Sequence, residues 1–276
     1  MAQTGAVQYA LWSSDGWSSV HSVGKVVSGR RGLDGNVRSR RSIGGQEVLV
    51  GGVMVPKLSF SYLPEDGALL AYIKRSVYPA GALPQLGFEA GTDTEGLRIS
   101  GAQCHRCVVE LAVEEALRVD MDWWSAEPPT TTSGGTMTPV GSKTFEWYRG
   151  QVSTDEVSYA AQRVRVTVAN NLLPVASLDA RTAGQRRYPD ELAVGPEEVT
   201  VVADYLADPG HDLSGDDLPV ADVQVTAGND TQTLTVVAAD VVPVAWEQRF
   251  EVDELVLWRV EYRLPANRGT LSVTVA

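Results

Sequence analysis
The chain has 276 residues, of which 43% are hydrophobic and 21% charged, enough apolar material to bury a core and no long polar tract that would leave it unfolded. A formal charge of −12 and an isoelectric point near 4.7 argue against tight binding to duplex nucleic acid, which needs clustered Lys and Arg to neutralise phosphates. No stretch approaches the ~18 apolar residues of a membrane span, and MAQTGAVQYALWSSDGW lacks the basic and apolar regions of a secretion signal, so the expectation is a cytosolic protein with no membrane partner.

In chain order, residues 1–28 read as an N-terminal arm, with Trp12 and Trp17 set among Ser and Gly. A basic stretch follows, in which Arg30, Arg31, Arg38, Arg40 and Arg41 stand against one acid, Asp34. On an acidic chain such a loop suits docking onto an acidic surface, and a mobile surface loop is the plain alternative. PKLSFSY (56–62) alternates as a strand. LPEDGALLAYIKRSV predicts one helix: Pro64 suits its first position, Glu65 and Asp66 its positive end, and Lys74 and Arg75 its negative end. GAQCHRCVVE holds both cysteines, Cys104 and Cys107. No second CxxC or HxxxH supplies the remaining ligands of a zinc site, so the reading is two thiols at a strand entry, with no metal and no cofactor.

VEEALRVDMDW (113–123) puts Leu117, Val119, Met121 and Trp123 on one face and Arg118, Asp120 and Asp122 on the other, with Trp124 also on the wet side as a candidate interface anchor. Residues 127–142, rich in Pro, Thr, Ser and Gly, read as a linker or long loop. Beyond it, RVRVTVAN, EVTVVADY and TLSVTV alternate again. VDELVLWRVEY (252–262) then repeats the earlier phrase, with Val256, Trp258, Val260 and Tyr262 towards a core and Leu257, Arg259 and Glu261 opposite. Other blocks recur in order: QEVLVGG matches DELAVGP, and AGTDTEGLRISGA matches AGNDTQTLTVVAA. Ordered matches at near-constant spacing predict a tandem duplication, with a first unit over 29–126 and a second over 143–276. The expected fold is mainly β, built of antiparallel sheets with one wet face.

No GxSxG, GxxxxGK, GxGxxG or HExxH pattern occurs, and the acidic pairs Glu114/Glu115, Asp216/Asp217 and Asp253/Glu254 read as solvated turns and strand edges, so no catalytic residue is assigned. A cytosolic β-sandwich enzyme acting on carbohydrate, with two carboxylates and a platform of Trp123 and Trp124, is the competing class.

The order GRRGLDGNVRSRRSIGG, VLVGGVMVPKLSFSYLPEDGALLAYIK, LPQLGFEAGTDTEGLRISGA, FEWYRGQV, RVRVTVANNLLP and RRYPDELAVGPEEVTV resembles the tail tube proteins of long-tailed bacteriophages, from about residue 29 to the end. The resemblance implies tandem β-sandwich or barrel-like units with a flanking helix, whose sheets join across subunits into a ring barrel, rings stacking into a hollow tube for genome ejection. It implies a virion structural protein, made in the host cytoplasm, whose partners are its own copies and other tail proteins. Three two-unit chains per ring are expected, or six chains if only one unit is present. DNA would pass without specific binding. The wet face, with candidates Arg118, Asp120, Asp122, Arg259 and Glu261, would then line an acidic lumen, or else face bulk solvent. Arg30, Arg31, Arg38, Arg40 and Arg41, matched by the basic Arg181, Arg186 and Arg187, would contact the adjacent ring. A distal-tail or tail-terminator adaptor of the same fold is the alternative role.

Overall fold
The computed structural model describes residues 5–6, 9–34, 38–41, 47–50, 53–75, 81–133, 143–176, 187–206, 220–250, 256–265 and 269–276. The chain is mainly β, and its named strands pair antiparallel throughout. Its first half contains β1 (Gly5–Ala6), β2 (Tyr9–Ser13), β3 (His21–Ser22), β4 (Lys25–Asp34), β5 (Arg38–Arg41), β6 (Glu47–Val50), β7 (Val55–Leu63), β8 (Leu86–Gly91), β9 (Gly96–Ala112), β10 (Arg118–Trp124) and β11 (Thr130–Thr132). The second half contains β12 (Glu146–Thr154), β13 (Val157–Tyr159), β14 (Ala161–Ala169), β15 (Leu172–Val175), β16 (Glu191–Val194), β17 (Glu198–Tyr205), β18 (Ala221–Gly228), β19 (Thr233–Phe250), β20 (Val256–Arg263) and β21 (Thr270–Val275).

One sheet runs through both halves in the order β1–β4–β7–β10–β9–β14–β17–β20–β19. The two longest strands leave it. The first part of β9 pairs with β8 and β11 in a sheet that continues through β2 to β3. The first part of β19 pairs with β18 and β21 in a sheet that continues through β12 to β13. Apart from the two-residue β1, each half therefore places four strands in the shared sheet and folds a second sheet back over them, and one bent strand serves both layers.

The halves repeat strand for strand, down to their irregularities. β9 bulges at His105 against β10, and β19 bulges at Val244 against β20, 139 positions later. Nearer the bend, the β8–β9 ladder is broken around Gly101 (φ +57°) and the β18–β19 ladder around Asp240 (φ +58°), again 139 positions apart. A third bulge occurs at Val27 in β4 and at Gln162 in β14. Bulges add twist and re-aim a strand, and here they sit where each half turns from one sheet into the other. The β5–β6 hairpin occupies the same place in the first half as β15–β16 in the second.

Alternation decides what is buried. Leu58, Phe60, Tyr62, Val119, Met121 and Trp123 of the first half and Val199, Val201, Ala203, Tyr205, Val260 and Tyr262 of the second belong to one apolar core beneath the shared sheet. The covering sheets close it with Trp12, Phe88, Ile99, Val223, Val225 and Leu271. Tyr205 and Tyr262 bring their hydroxyls within 3.4 Å of each other, and Thr154 lies 3.2 Å from Tyr205, so these buried phenols keep polar partners.

Three expectations need correction. The helix over 63–77 is only a five-residue 3-10 turn, Ala68–Tyr72, entered through Gly67. Leu69, Leu70 and Ile73 drop into the core, and a Cβ on Gly67 would meet Val275 of β21 at 2.3 Å, so tertiary packing overrides the weak helical signal of a short segment. Residues 9–28 are not a separate arm: Tyr9, Ala10 and Trp12 are buried where β2 completes the edge of β8. The linker also begins later, because Thr130–Thr132 pairs with Gly96–Arg98, and residues 134–142 lie outside the described set.

The paired bulges give a test of equivalence. Asp240→Gly should change the unfolding free energy by no more than about 0.5 kcal/mol, since relief of the left-handed conformation offsets the freer unfolded chain. Asp240→Val should cost about 1–2 kcal/mol in the same chemical denaturation series.

Candidate functional site
The outer face of the shared sheet collects the non-core residues of its strands. Arg118, Asp120 and Asp122 of β10 stand on it, and so do Arg259 and Glu261 of β20. The five sequence candidates thus share one face, on the two strands that end the β10–β9–β14–β17–β20 series. The face is not an acidic one. Arg106 and Glu110 of β9, Arg163 and Arg165 of β14, Asp204 of β17, Glu247 of β19 and Arg263 of β20 interleave with them, so arginines about balance acids. Arg118 lies 3.2 Å from Asp120 and donates to Ser61 Oγ at 2.8 Å. Glu110 accepts from both Arg163 and Arg165, Arg259 lies between Asp204 and Glu247, and Arg263 pairs with Glu261. These are cross-strand and neighbour pairs on a half-wet surface, each worth only a fraction of a kcal/mol, and their main effect is to cancel local charge. A shallow groove of about 340 Å³ crosses this face between Arg30, Ser59, Arg106 and Asp122.

The second element of the site is the joint between the two halves. β14 lies antiparallel on β9, with Arg163 opposite Ala112, Arg165 opposite Glu110, Val168 opposite Cys107 and Ala169 opposite Arg106. Beyond the last pair, Asn170 N–H donates to His105 O, and its fully buried side chain donates to Ile73 O and Cys104 O at 2.9 and 3.0 Å. The β15–β16 hairpin then folds over the first half. Leu172 and Leu192 bury against Val55 and Leu83, with Trp124 at the margin of the cluster. Trp124 stacks on His105 at 3.8 Å, and Lys57 Nζ lies 4.0 Å from its ring centre. The interface that Trp124 anchors is therefore internal.

Arg75, expected as the cation ending a helix, is buried in this joint. It donates to Gly195 O and lies 4.0 Å from the buried Glu197, whose carboxyl burial pushes above its usual range. The cysteines belong to the core: both are fully buried, and burial pushes both thiols far up, away from the thiolate needed for metal binding or redox exchange. Among the described residues no group of three potential metal ligands comes together. Asp216, Asp217, Asp253 and Glu254 lie outside the described residues.

The third element is a pair of open ends. Among the described residues, the last strand, β19, pairs only with β20 along Val242–Phe250. Trp246 sits on its core-facing side opposite the buried Val260, yet remains 47% exposed, and Val244 is 42% exposed. Their equivalents in the first half are Cys107, fully buried, and His105, covered by Trp124 and Leu172. At the opposite end, β4 meets β1 through two residues, Gly5 opposite Arg31 and Ala6 opposite Arg30. Of the five basic-loop candidates, Arg30 is exposed on the outer face. Arg31 is 9% exposed, donates to Ala90 O and Glu95 O and pairs with Glu95, so its side chain is held within the chain. Arg38, Arg40 and Arg41 form β5, and their side chains lie outside the described set, as do Arg181 and Arg186.

Sequence reading found the outer face but missed the joint, because His105, Asn170, Arg75 and Glu197 come from segments far apart in the chain; the repeated asparagine in VANNLLP was the available signal. No protein-family model matches the chain, and comparison with curated proteins finds no relative.

The joint contains one imidazole whose protonation state is tied to a backbone hydrogen bond. Leu172 N–H donates to His105 Nδ1 at 3.2 Å, which requires that nitrogen to be unprotonated. Burial holds the imidazole below its usual pKa; Lys57 and Arg106 add to this, and Asp122 opposes it. The folded pKa is thus depressed, so the contribution is complete above the ordinary value of ~6.5 and is lost as pH falls through the lowered value. Hydrogen exchange, corrected for intrinsic rate, should show the Leu172–Leu173 amides protected above pH ~6.5 and losing that protection as the pH falls below it. In His105→Ala that pH step should vanish.

Proposed function
We propose that this protein is a structural subunit of a bacteriophage tail tube, which polymerises through its sheet edges into stacked rings around a hollow bore. The observation that carries the reading is the shared sheet: two equivalent sets of four strands lie side by side, and the strand that ends the second set has no partner at its outer edge among the described residues. Such an edge is either protected or used for association, and a head-to-tail contact whose rotation closes gives a ring. The resemblance in the order of sequence blocks supports the same assignment.

Because each chain brings two units, three copies complete a ring with pseudo-sixfold symmetry. Three copies would supply about 24 strands at ~4.8 Å spacing, which with normal strand tilt give a backbone diameter of about 40–50 Å. The polar outer face would then line the bore. Its arginines are held against carboxylates, so it offers DNA few free cations to grip, and passage relies on charge cancellation in place of the acidic repulsion that net composition alone suggests. The role needs no catalytic group and no cofactor. Other tail proteins would meet the ends of the tube.

Electron microscopy of the purified protein over a range of concentrations tests the proposal. Hollow rods that lengthen with concentration, with three chains per ring, are expected. Single rings that never lengthen would indicate the terminator or distal-tail role, and a chain that stays monomeric throughout would sink the reading.

A further inference from the structure
The internal repeat supplies a template for the contact between copies. β14 follows the β12–β13 hairpin, carries a bulge at Gln162, pairs with β17 on one side and receives β9 on the other. β4 follows the β2–β3 hairpin, carries its bulge at Val27 and pairs with β7 in the same way. The ladder places Tyr62 with Val26 and Tyr205 with Ala161, and so aligns Leu33 with Val168 and Arg31 with Val166. On the other side, the equivalent bulges at His105 and Val244 align Cys107 with Trp246 and Val109 with Gln248. Both alignments come from hydrogen-bonded ladders and are independent of each other.

Resting on the assembly reading above, we infer that the outer edge of β4 in one copy receives β19 of a second copy in the register by which β14 receives β9. Gly29 then lies opposite Phe250, Arg30 opposite Arg249, Arg31 opposite Gln248, Gly32 opposite Glu247, Leu33 opposite Trp246 and Asp34 opposite Ala245. The half-exposed Trp246 gains the position that in Cys107 is fully buried, beside an apolar Leu33. Phe250 meets a glycine, so the opposing strand offers it no side chain to clash with. The template's Arg165–Glu110 pair is replaced by Arg30 opposite Arg249, with Glu247 on one diagonal. β1 holds two positions of this edge in the single chain and must give way. The same template lays the β5–β6 hairpin across Val244 of the second copy, as β15–β16 lies across His105. Arg38, Arg40 and Arg41 therefore belong to the contact within a ring, not to the contact between rings.

Paired cysteines in the full chain read the register directly. Directly opposed residues on antiparallel strands have Cα atoms about 4.5–5.5 Å apart, within disulfide range, whereas a shift of two residues moves them beyond it. Gly32→Cys combined with Glu247→Cys should give disulfide-linked multimers on mild oxidation, and neither single variant should. Arg30→Cys with Glu247→Cys should cross-link at least about tenfold less. A second variant guards against local damage: Trp246→Asp changes a side chain already half exposed, so hydrogen-exchange protection of the core amides should stay that of the parent while the apparent association constant falls by about tenfold or more. Preferential cross-linking of the shifted pair, or undiminished association of Trp246→Asp, overturns the inferred register. Tubes that form without the 32–247 cross-link would leave the tube reading standing and remove this one. Cross-linked rings that never stack would do the reverse, and a chain that never associates removes both.

Discussion
Every strand carries two rows of backbone donors and acceptors, and each row needs a partner or water. In this chain that requirement is met inward by repetition. The first half leaves the outer row of β9 open, and the second half closes it with β14. Because the closing strand belongs to a unit built like the first, closing one edge presents an equivalent edge on β19. A duplicated unit of this kind moves the unpaired row along by one unit without eliminating it. An open strand edge among the described residues is thus a property of the topology before any particular side chain is considered.

The bent strands make the topology work with little else. β9 and β19 run through both layers, so each half acquires a sandwich core without a helix to cover its sheet. Each bends where the ladder is interrupted, at Gly101 and at Asp240, and the ladder slips again at His105 and at Val244. His105 and Val244 differ in chemistry while their bulges match, and Gly101 and Asp240 share a left-handed backbone. A glycine and an aspartate are among the few residues that accept a left-handed backbone at low cost, which explains why that one pair stays within a narrow chemical set.

Local pattern made the strands and the repeat legible. Alternation through RVDMDWW and VLWRVEY assigned their core and wet faces, and the buried Val119, Met121, Trp123, Val260 and Tyr262 agree with it. Leu257 departs from the pattern in the sequence and is nonetheless buried. What pattern did not carry was anything fixed by distant pairing. The charge of the outer face depends on which strands become neighbours: Glu110 looks like one more acid until β14 brings Arg163 and Arg165 to it. The helix over 63–77 had good end signals but too few residues between Gly67 and Arg75 to resist the pull of the core and of Glu197. Tyr9–Ser13 looked like part of a loose arm because five residues give little periodicity, and its place is set by the open edge of β8.

The joint between halves and the open end differ in chemistry in a way that follows from covalent connection. Inside the chain, β9 and β14 are held at high effective concentration, so their joint can bear the desolvation of Asn170, Arg75, Glu197 and His105, offset by hydrogen bonds of Asn170, Arg75 and His105 and by the charge of Arg75 near Glu197. A contact between separate copies has no tether and loses translational freedom when it forms, so it depends more on apolar area. The equivalent positions on β19 are Val244 and Trp246, where the first half has His105 and Cys107. Polar residues mark the seam that is closed within the chain, and exposed apolar ones mark the edge through which association is proposed.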